Sequence, residues 1–153
     1  MTIPESHLIR QEHIIRDMLF TSDVKLTRKS LIRWIALSLG LISPNETRTL
    51  MLDLLEALFH FHVKGDEPDI TAIVEEINKK REEKTNPKAV RYHLLQLKNR
   101  GLIERKAGRY VFALSPFAEG RDLSTSIEYT YKQNVETAFE KIKAALKALE
   151  RTY

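Results

Sequence analysis

The stretch NPKAVRYHLLQLKNRGLIERKAGRYVFAL, residues 86–114, restricts the fold more than any other part of the chain. Asn86 before Pro87 is a helix start: the asparagine side chain can accept from a free first-turn amide, and proline at the first helical position forfeits no hydrogen bond. Val90, Leu94 and Leu97 then recur at i, i+4 and i+7, which predicts a helix over about residues 87–100 with one apolar face. Gly101 supplies a left-handed stop. Beyond it, LIERK and RYVFAL alternate on either side of Ala107-Gly108, the signature of a short hairpin.

The remaining elements have to cover these two apolar faces. PESHLIRQEHIIRDMLF places Leu8, Ile14, Ile15, Met18 and Leu19 near helical spacing, predicting a helix over about residues 5–20. Thr27 is placed to cap a second helix of roughly 28–40, mostly buried through Leu31, Ile32, Trp34, Ile35, Leu37 and Leu39. Ser43, Pro44 and Glu46 form a capping-box pattern that predicts a central core helix over 44–62, with Leu50, Met51, Leu54, Leu55, Leu58 and Phe59 on its stripe. After KGDEPD, DITAIVEEINKKREE reads as a short extended lead into a helix with Ile73, Val74 and Ile77 inward. From about 124 to 150, Val135, Phe139, Ile142, Leu146 and Leu149 follow one another at steps of four, three, four and three, a coiled-coil-like seam extended upstream by Ile127 and Tyr131.

A core helix, a short strand, a second helix, a third helix with a polar start and a basic-tipped hairpin make up the order of a winged helix-turn-helix. The fold class is therefore mainly α, with a small β-hairpin wing, two extra N-terminal helices and a long C-terminal helix. The parts are a helical extension over 1–42 packed on the core, a winged-helix DNA-binding domain over 43–118 and a dimerisation helix over 119–153. The span from about 44 to 122 resembles winged-helix transcription regulators of the ArsR, MarR and PadR types. Val90, His93, Leu94, Leu97, Gly101, Leu102 and Ile103 stand at the pattern's positions, and LSPFAEGRDL looks like the segment that leads from the wing into a dimerisation helix in PadR-type proteins. The resemblance implies a DNA-binding regulator; winged helices also serve as protein- or RNA-interaction modules in transcription and RNA-processing assemblies, which stands as the alternative.

Charge is concentrated on the same stretch. Residues 86–118 carry seven lysines and arginines against Glu104, a net of +6 that exceeds the +4 of the whole chain. Stepping about 100° per residue from Val90 puts Lys88, Tyr92 and Gln96 near the opposite face, with Arg91 at its flank. These types can reach base edges or phosphates. Lys106 and Arg109 flank the hairpin turn, where phosphates or a minor groove would be within reach. The candidate DNA-binding residues are thus Lys88, Arg91, Tyr92, Gln96, Lys106 and Arg109, with double-stranded DNA as the partner. Leu95 also falls toward this face, an awkward fit unless the N-terminal helices or the curvature of the helix cover it. Arg28, Lys29 and Arg33 form a second basic group with no acid nearby, readable equally as a flanking contact to a nucleic-acid backbone and as a solvated face.

One such unit reads few base pairs, so a homodimer is expected, with Val135, Phe139, Ile142, Leu146 and Leu149 as the interface. The absence of cysteine excludes disulfides and thiolate chemistry. His60 and His62 flank Phe61 with acids following, but residues two apart on a helix point in different directions, so no metal is expected. No phosphate loop or nucleophile elbow occurs, and neither an enzyme nor a cofactor is expected. The most apolar run, LIRWIALSLGLI, contains Arg33 and is shorter than a membrane span, and no leader is visible, so a cytoplasmic protein without membrane contact is expected. The sequence names no small-molecule effector.

Overall fold

The computed structural model describes residues 2–153 and has the winged helix-turn-helix architecture. Helix α1 spans Arg28–Ser38, α2 Leu50–Lys64, α3 Ile70–Asn78 and α4 Pro87–Asn99; strands β1, Ile103–Lys106, and β2, Arg109–Phe112, form the wing, and α5 runs Leu123–Glu150. The core is one cluster: Leu54, Leu55 and Leu58 of α2, Ile73 and Ile77 of α3, and Val90, Leu94 and Leu97 of α4 close on Ile103, Tyr110 and Phe112 of the hairpin. Ile32 and Ala36 of α1 and Tyr131 of α5 extend it outward. Phe59 stacks on Phe112 with ring centroids 5.1 Å apart, joining the core helix to the wing.

Local chemistry sets the ends of these elements. The Thr27 hydroxyl accepts from Ser30 N–H, the Asp69 carboxylate from Ala72 N–H and the Asn86 amide oxygen from Ala89 N–H, so α1, α3 and α4 each begin on a side-chain cap. Gly65, at φ 80°, ends α2 with its own amide on the His62 carbonyl and the next amide, that of Asp66, on Phe61. The short lead before α3 is extended as the sequence indicates: Asp69 bridges Arg109 antiparallel and Tyr110 N–H donates to the Pro68 carbonyl at 2.8 Å, adding a short third strand position to the wing. The hairpin pairs Ile103 with Phe112 through Lys106 with Arg109. Its turn holds Ala107 at φ 51° and Gly108 at φ 78°, both in the left-handed region that a two-residue turn of this hand requires.

Two predicted helices differ. Residues 5–20 do not form a helix: only Pro4–Leu8 coil, as a 3-10 turn, and the chain from Ile9 to Phe20 crosses the domain as a strap without regular structure. Tertiary bonds replace the helical ladder. Arg16 N–H donates to the Ser38 carbonyl at 2.8 Å, its guanidinium donates to the carbonyls of Leu37 and Ile42, the Gln11 amide donates to Asn99, and the Trp34 indole donates to Leu19. The bonds to Leu37, Ser38 and Asn99 fill carbonyls at the C-terminal ends of α1 and α4 that a helix leaves open. The apolar spacing in this segment gathers no buried face: Ile15 and Leu19 stay exposed, and the paired isoleucines are weak helix formers. The N-terminal extension therefore holds one α-helix rather than two.

The second difference is the start of α2. Ser43 and Glu46 make a turn, with Glu46 N–H on the Ser43 carbonyl, and the Glu46 carboxylate accepts from Arg48 N–H rather than returning to Ser43. Residues 43–49 are exposed, and the helix begins at Leu50, where its apolar stripe first reaches the core. A cap pattern with no apolar residue behind it does not extend a helix. Within α1, Ile32, Ala36 and Ser38 are buried, while Leu31, Trp34, Ile35 and Leu37 are only half-buried.

Candidate nucleic-acid interface

The turn before α4 is built rigidly. Asn78 brackets Thr85, its amide nitrogen donating to the Thr85 carbonyl at 3.2 Å and its amide oxygen accepting from Thr85 N–H at 2.9 Å. Arg81 pairs with Asp53 at 2.7 Å and Lys80 with Glu56 at 3.1 Å, fastening the turn to α2. Lys84 donates to the carbonyls of Asn78 and Arg81. Since Val90, Leu94 and Leu97 are buried against α2 and α3, the rotational setting of α4 is fixed.

That setting exposes Lys88, Arg91, Tyr92 and Gln96 together on the outer face of α4. Tyr92 is 62 % exposed although aromatic. Gln96 orients it: the amide nitrogen donates toward the Tyr92 hydroxyl at 3.4 Å while the amide oxygen lies 3.1 Å from His93 Nδ1, where it accepts from that nitrogen's proton in the matching tautomer. The rings of Tyr92 and His93 meet edge to face at 5.5 Å. His93 is half-buried and bonded at the rim of this face rather than inside the core. Leu95 is 53 % exposed; the strap does not cover it.

The two ends of α4 are not equivalent. At the C-terminal end, Gln11 of the strap donates to the Asn99 carbonyl and Asn134 of α5 to the Arg100 carbonyl. At the N-terminal end neither segment makes a hydrogen bond among the described residues, and Lys88, Arg91 and Tyr92 are exposed there.

The wing residues divide. Lys106 projects at the tip, its side chain 75 % exposed and paired with Glu104 at 3.2 Å. Arg109 instead turns back: its guanidinium donates to the Glu67 carbonyl at 2.7 Å, beside the Asp69 bridge, and clamps the hairpin to the α2–α3 connection. Arg105, absent from the sequence candidates, lies over the Tyr110 ring at 5.7 Å and is exposed on the same hairpin. Its signal was only its place in the basic run. The second basic group has acids close by, contrary to the sequence reading: Arg28 lines a cleft with Asp53, Glu56 and Glu76, and Lys29 and Arg33 line another with Asp53 and Glu56.

The histidines are otherwise engaged. His60 lies 3.6 Å from the Glu76 carboxylate, which a hydrogen bond from Lys79 holds below the usual carboxylate range, with His60 and Lys64 adding in the same sense. Both ring nitrogens of His62 face Arg121, one toward its carbonyl at 2.9 Å and one toward its guanidinium at 3.2 Å. Among the described residues no group of three or more potential metal ligands occurs, and no helix is long and apolar enough to cross a membrane.

Helix α5 begins on Asp122, whose carboxylate accepts from the Thr125 and Ser124 hydroxyls and from Ser124 N–H; those bonds hold it below the usual carboxylate range. Ser126 is buried, donates to the Asp122 carbonyl and accepts from Ser115 N–H at 2.9 Å. Tyr131 is also buried and donates to the Leu39 carbonyl; burial raises its phenol above the ordinary value. Further along, Val135, Phe139, Ile142, Leu146 and Leu149 form an apolar row that is 38–54 % exposed.

A family model of the ribonuclease R winged-helix domain matches residues 65–111, about a third of the chain. The matched span runs from the glycine end of α2 through most of β2 and includes Lys88, Arg91, Tyr92, Gln96, Lys106 and Arg109. No curated protein and no solved structure matches the chain.

Proposed function

We propose that this chain is a cytoplasmic transcription regulator that binds duplex DNA as a homodimer, with α4 in the major groove and the hairpin on the adjacent backbone, and that it carries out no catalysis. The observation that carries this reading is the open N-terminal half of α4, where Lys88, Arg91 and Tyr92 stand exposed on a helix whose rotation is fixed by its buried side. A helix about 10–12 Å across fits a major groove about 12 Å wide. Lys88 and Arg91 meet phosphates or guanine edges, Gln96 can read adenine, and Tyr92 and Leu95 offer apolar contact to thymine methyls. Lys106 supplies the wing's phosphate contact, while Arg109 holds the wing in place and contacts DNA only if its bond to Glu67 opens. The likeness of residues 44–122 to ArsR, MarR and PadR regulators supports the regulatory role, and the exposed apolar row on α5 supports pairing of two chains.

A second reading, an RNA-binding module, is favoured by the match to the winged-helix domain of a ribonuclease. Fluorescence anisotropy with duplex DNA, duplex RNA and single-stranded RNA across a salt series separates the two. The DNA reading predicts tightest binding to duplex DNA, with affinity falling steeply as salt rises and a slope shallower by about one unit in Lys88→Ala or Lys106→Ala. Tighter binding to RNA at every salt concentration transfers the assignment to the second reading; binding indifferent to salt and to Lys88 removes both.

A further inference from the structure

After Asn134 reaches the Arg100 carbonyl, α5 leaves the body of the molecule, and every residue from Phe139 to Glu150 is exposed. The free portion is not featureless. Taking Phe139 and Leu146 as first positions of a heptad and Val135, Ile142 and Leu149 as fourth positions, Glu136, Lys143 and Glu150 flank the row on one side and Ala138 and Ala145 on the other.

This asymmetry decides orientation. When two copies pair parallel, each flank meets the opposite flank of its mate, so alanines face Lys143 and Glu150 and no ion pair forms. When they pair antiparallel, like flanks meet. With Val135 beside Leu146 of the second copy and Phe139 beside its Ile142, Glu136 faces Lys143 on one flank and Ala138 faces Ala145 on the other. By symmetry each contact occurs twice. Sliding the pairing by one heptad in one direction sets Glu136 against Glu150 and Lys143 against Lys143; sliding it the other way sets Glu136 against Glu136. Like charges thus exclude the neighbouring registers.

We propose that two copies of this chain associate through residues 135–146 of α5 in this one antiparallel register. The partner is a second copy because the flank is charge-complementary to itself, with apolar and small residues opposite their own kind. The arrangement places the two Tyr131 anchors about 29 Å apart along the shared axis, at about 1.5 Å of rise per residue, of the order of one turn of duplex DNA. It also brings Leu149 of the second copy to the level of Lys132, two residues before Asn134, where α5 bonds the end of α4.

The proposal rests on the homodimer reading above, and the test separates the two. The chain has no native cysteine, so single-cysteine variants of the full protein report proximity cleanly. A mixture of Val135→Cys and Leu146→Cys is expected to form the mixed disulfide on mild oxidation, with neither variant cross-linking to itself. Self-cross-linking of either variant shows a parallel pair and overturns the register while leaving the dimer intact. A dimer in sedimentation that yields no cross-link overturns the register too, and a monomer at micromolar concentration overturns the pairing itself. As a second readout, Lys143→Glu is expected to weaken dimerisation about tenfold, by converting two exposed attractions to two repulsions, and adding Glu136→Lys to restore it. An unchanged dimer in both variants contradicts the antiparallel flank.

Discussion

Replacing Gly40 with alanine should destabilise the protein by about 2 kcal/mol, because the strap is seated against that glycine. Gly40 lies at φ 68°, where an L side chain costs about 1–2 kcal/mol. A Cβ built there would stand 2.6 Å from the Cβ of Ile14 and 3.1 Å from the Ile14 carbonyl oxygen. Ordinary carbon contacts are about 3.5–4.0 Å, so the strap backbone has to move by about an ångström. Arg16, two residues further on, is then drawn off its amide bond to the Ser38 carbonyl, a net of about 1 kcal/mol. The lower entropy of the unfolded alanine chain returns about 0.4–1 kcal/mol. Urea denaturation measures the sum, and hydrogen exchange at the Arg16 amide shows whether the strap lifts. In an Ile14→Gly background the cost of Gly40→Ala should shrink by about 1 kcal/mol, the steric part. A Gly40→Ala protein within about 0.5 kcal/mol of the parent and with the Arg16 amide still protected would refute the packing of the strap.

Ser126→Ala should cost about 1–3 kcal/mol in urea denaturation, because the buried Ser115 N–H loses its acceptor. Arg109→Ala should cost about 1 kcal/mol through the lost bond to the Glu67 carbonyl, whereas Lys106→Ala should leave stability within about 0.5 kcal/mol; equal effects would show that Arg109 is not a clamp. The Asp122 carboxyl is held below its ordinary value, so its stabilisation is complete above the unfolded-state value and is lost as pH falls through the folded one. The gap in melting temperature between parent and Asp122→Ala should therefore narrow as pH drops below about 4, and a gap constant to the acid limit would contradict the cap.

The centre of the fold was legible because its signals were local and redundant. Asn86-Pro87 marks the start of α4, the Val90, Leu94 and Leu97 stripe its buried side, and Gly101 and Gly108 the places where positive φ is needed. Each points to the same element without knowledge of its neighbours. The strap was illegible for the opposite reason. Its conformation depends on carbonyls at Ser38, Leu37, Ile42 and Asn99, which only the folded chain brings into reach, while apolar spacing alone suggests a helix. The start of α2 was misplaced because Ser43 and Glu46 satisfy the pattern of a cap, and a pattern does not record whether buried side chains follow. On the basic face, charge density points to α4 and the hairpin, but Lys106 and Arg109 look alike in sequence; only the position of the Glu67 carbonyl distinguishes an exposed cation paired at the tip from a clamp.

Amide and side-chain chemical-shift mapping of the labelled protein on titration with a mixed-sequence DNA duplex, at low and then at raised salt, tests most directly whether α4 and the wing hold DNA. The account predicts the largest shifts at residues 86–92, at Gln96 and at 104–107, fading as salt competes, with the exposed row of α5 undisturbed. Shifts centred on α5 or on the Arg28–Arg33 face, or none at all at low salt, would contradict it.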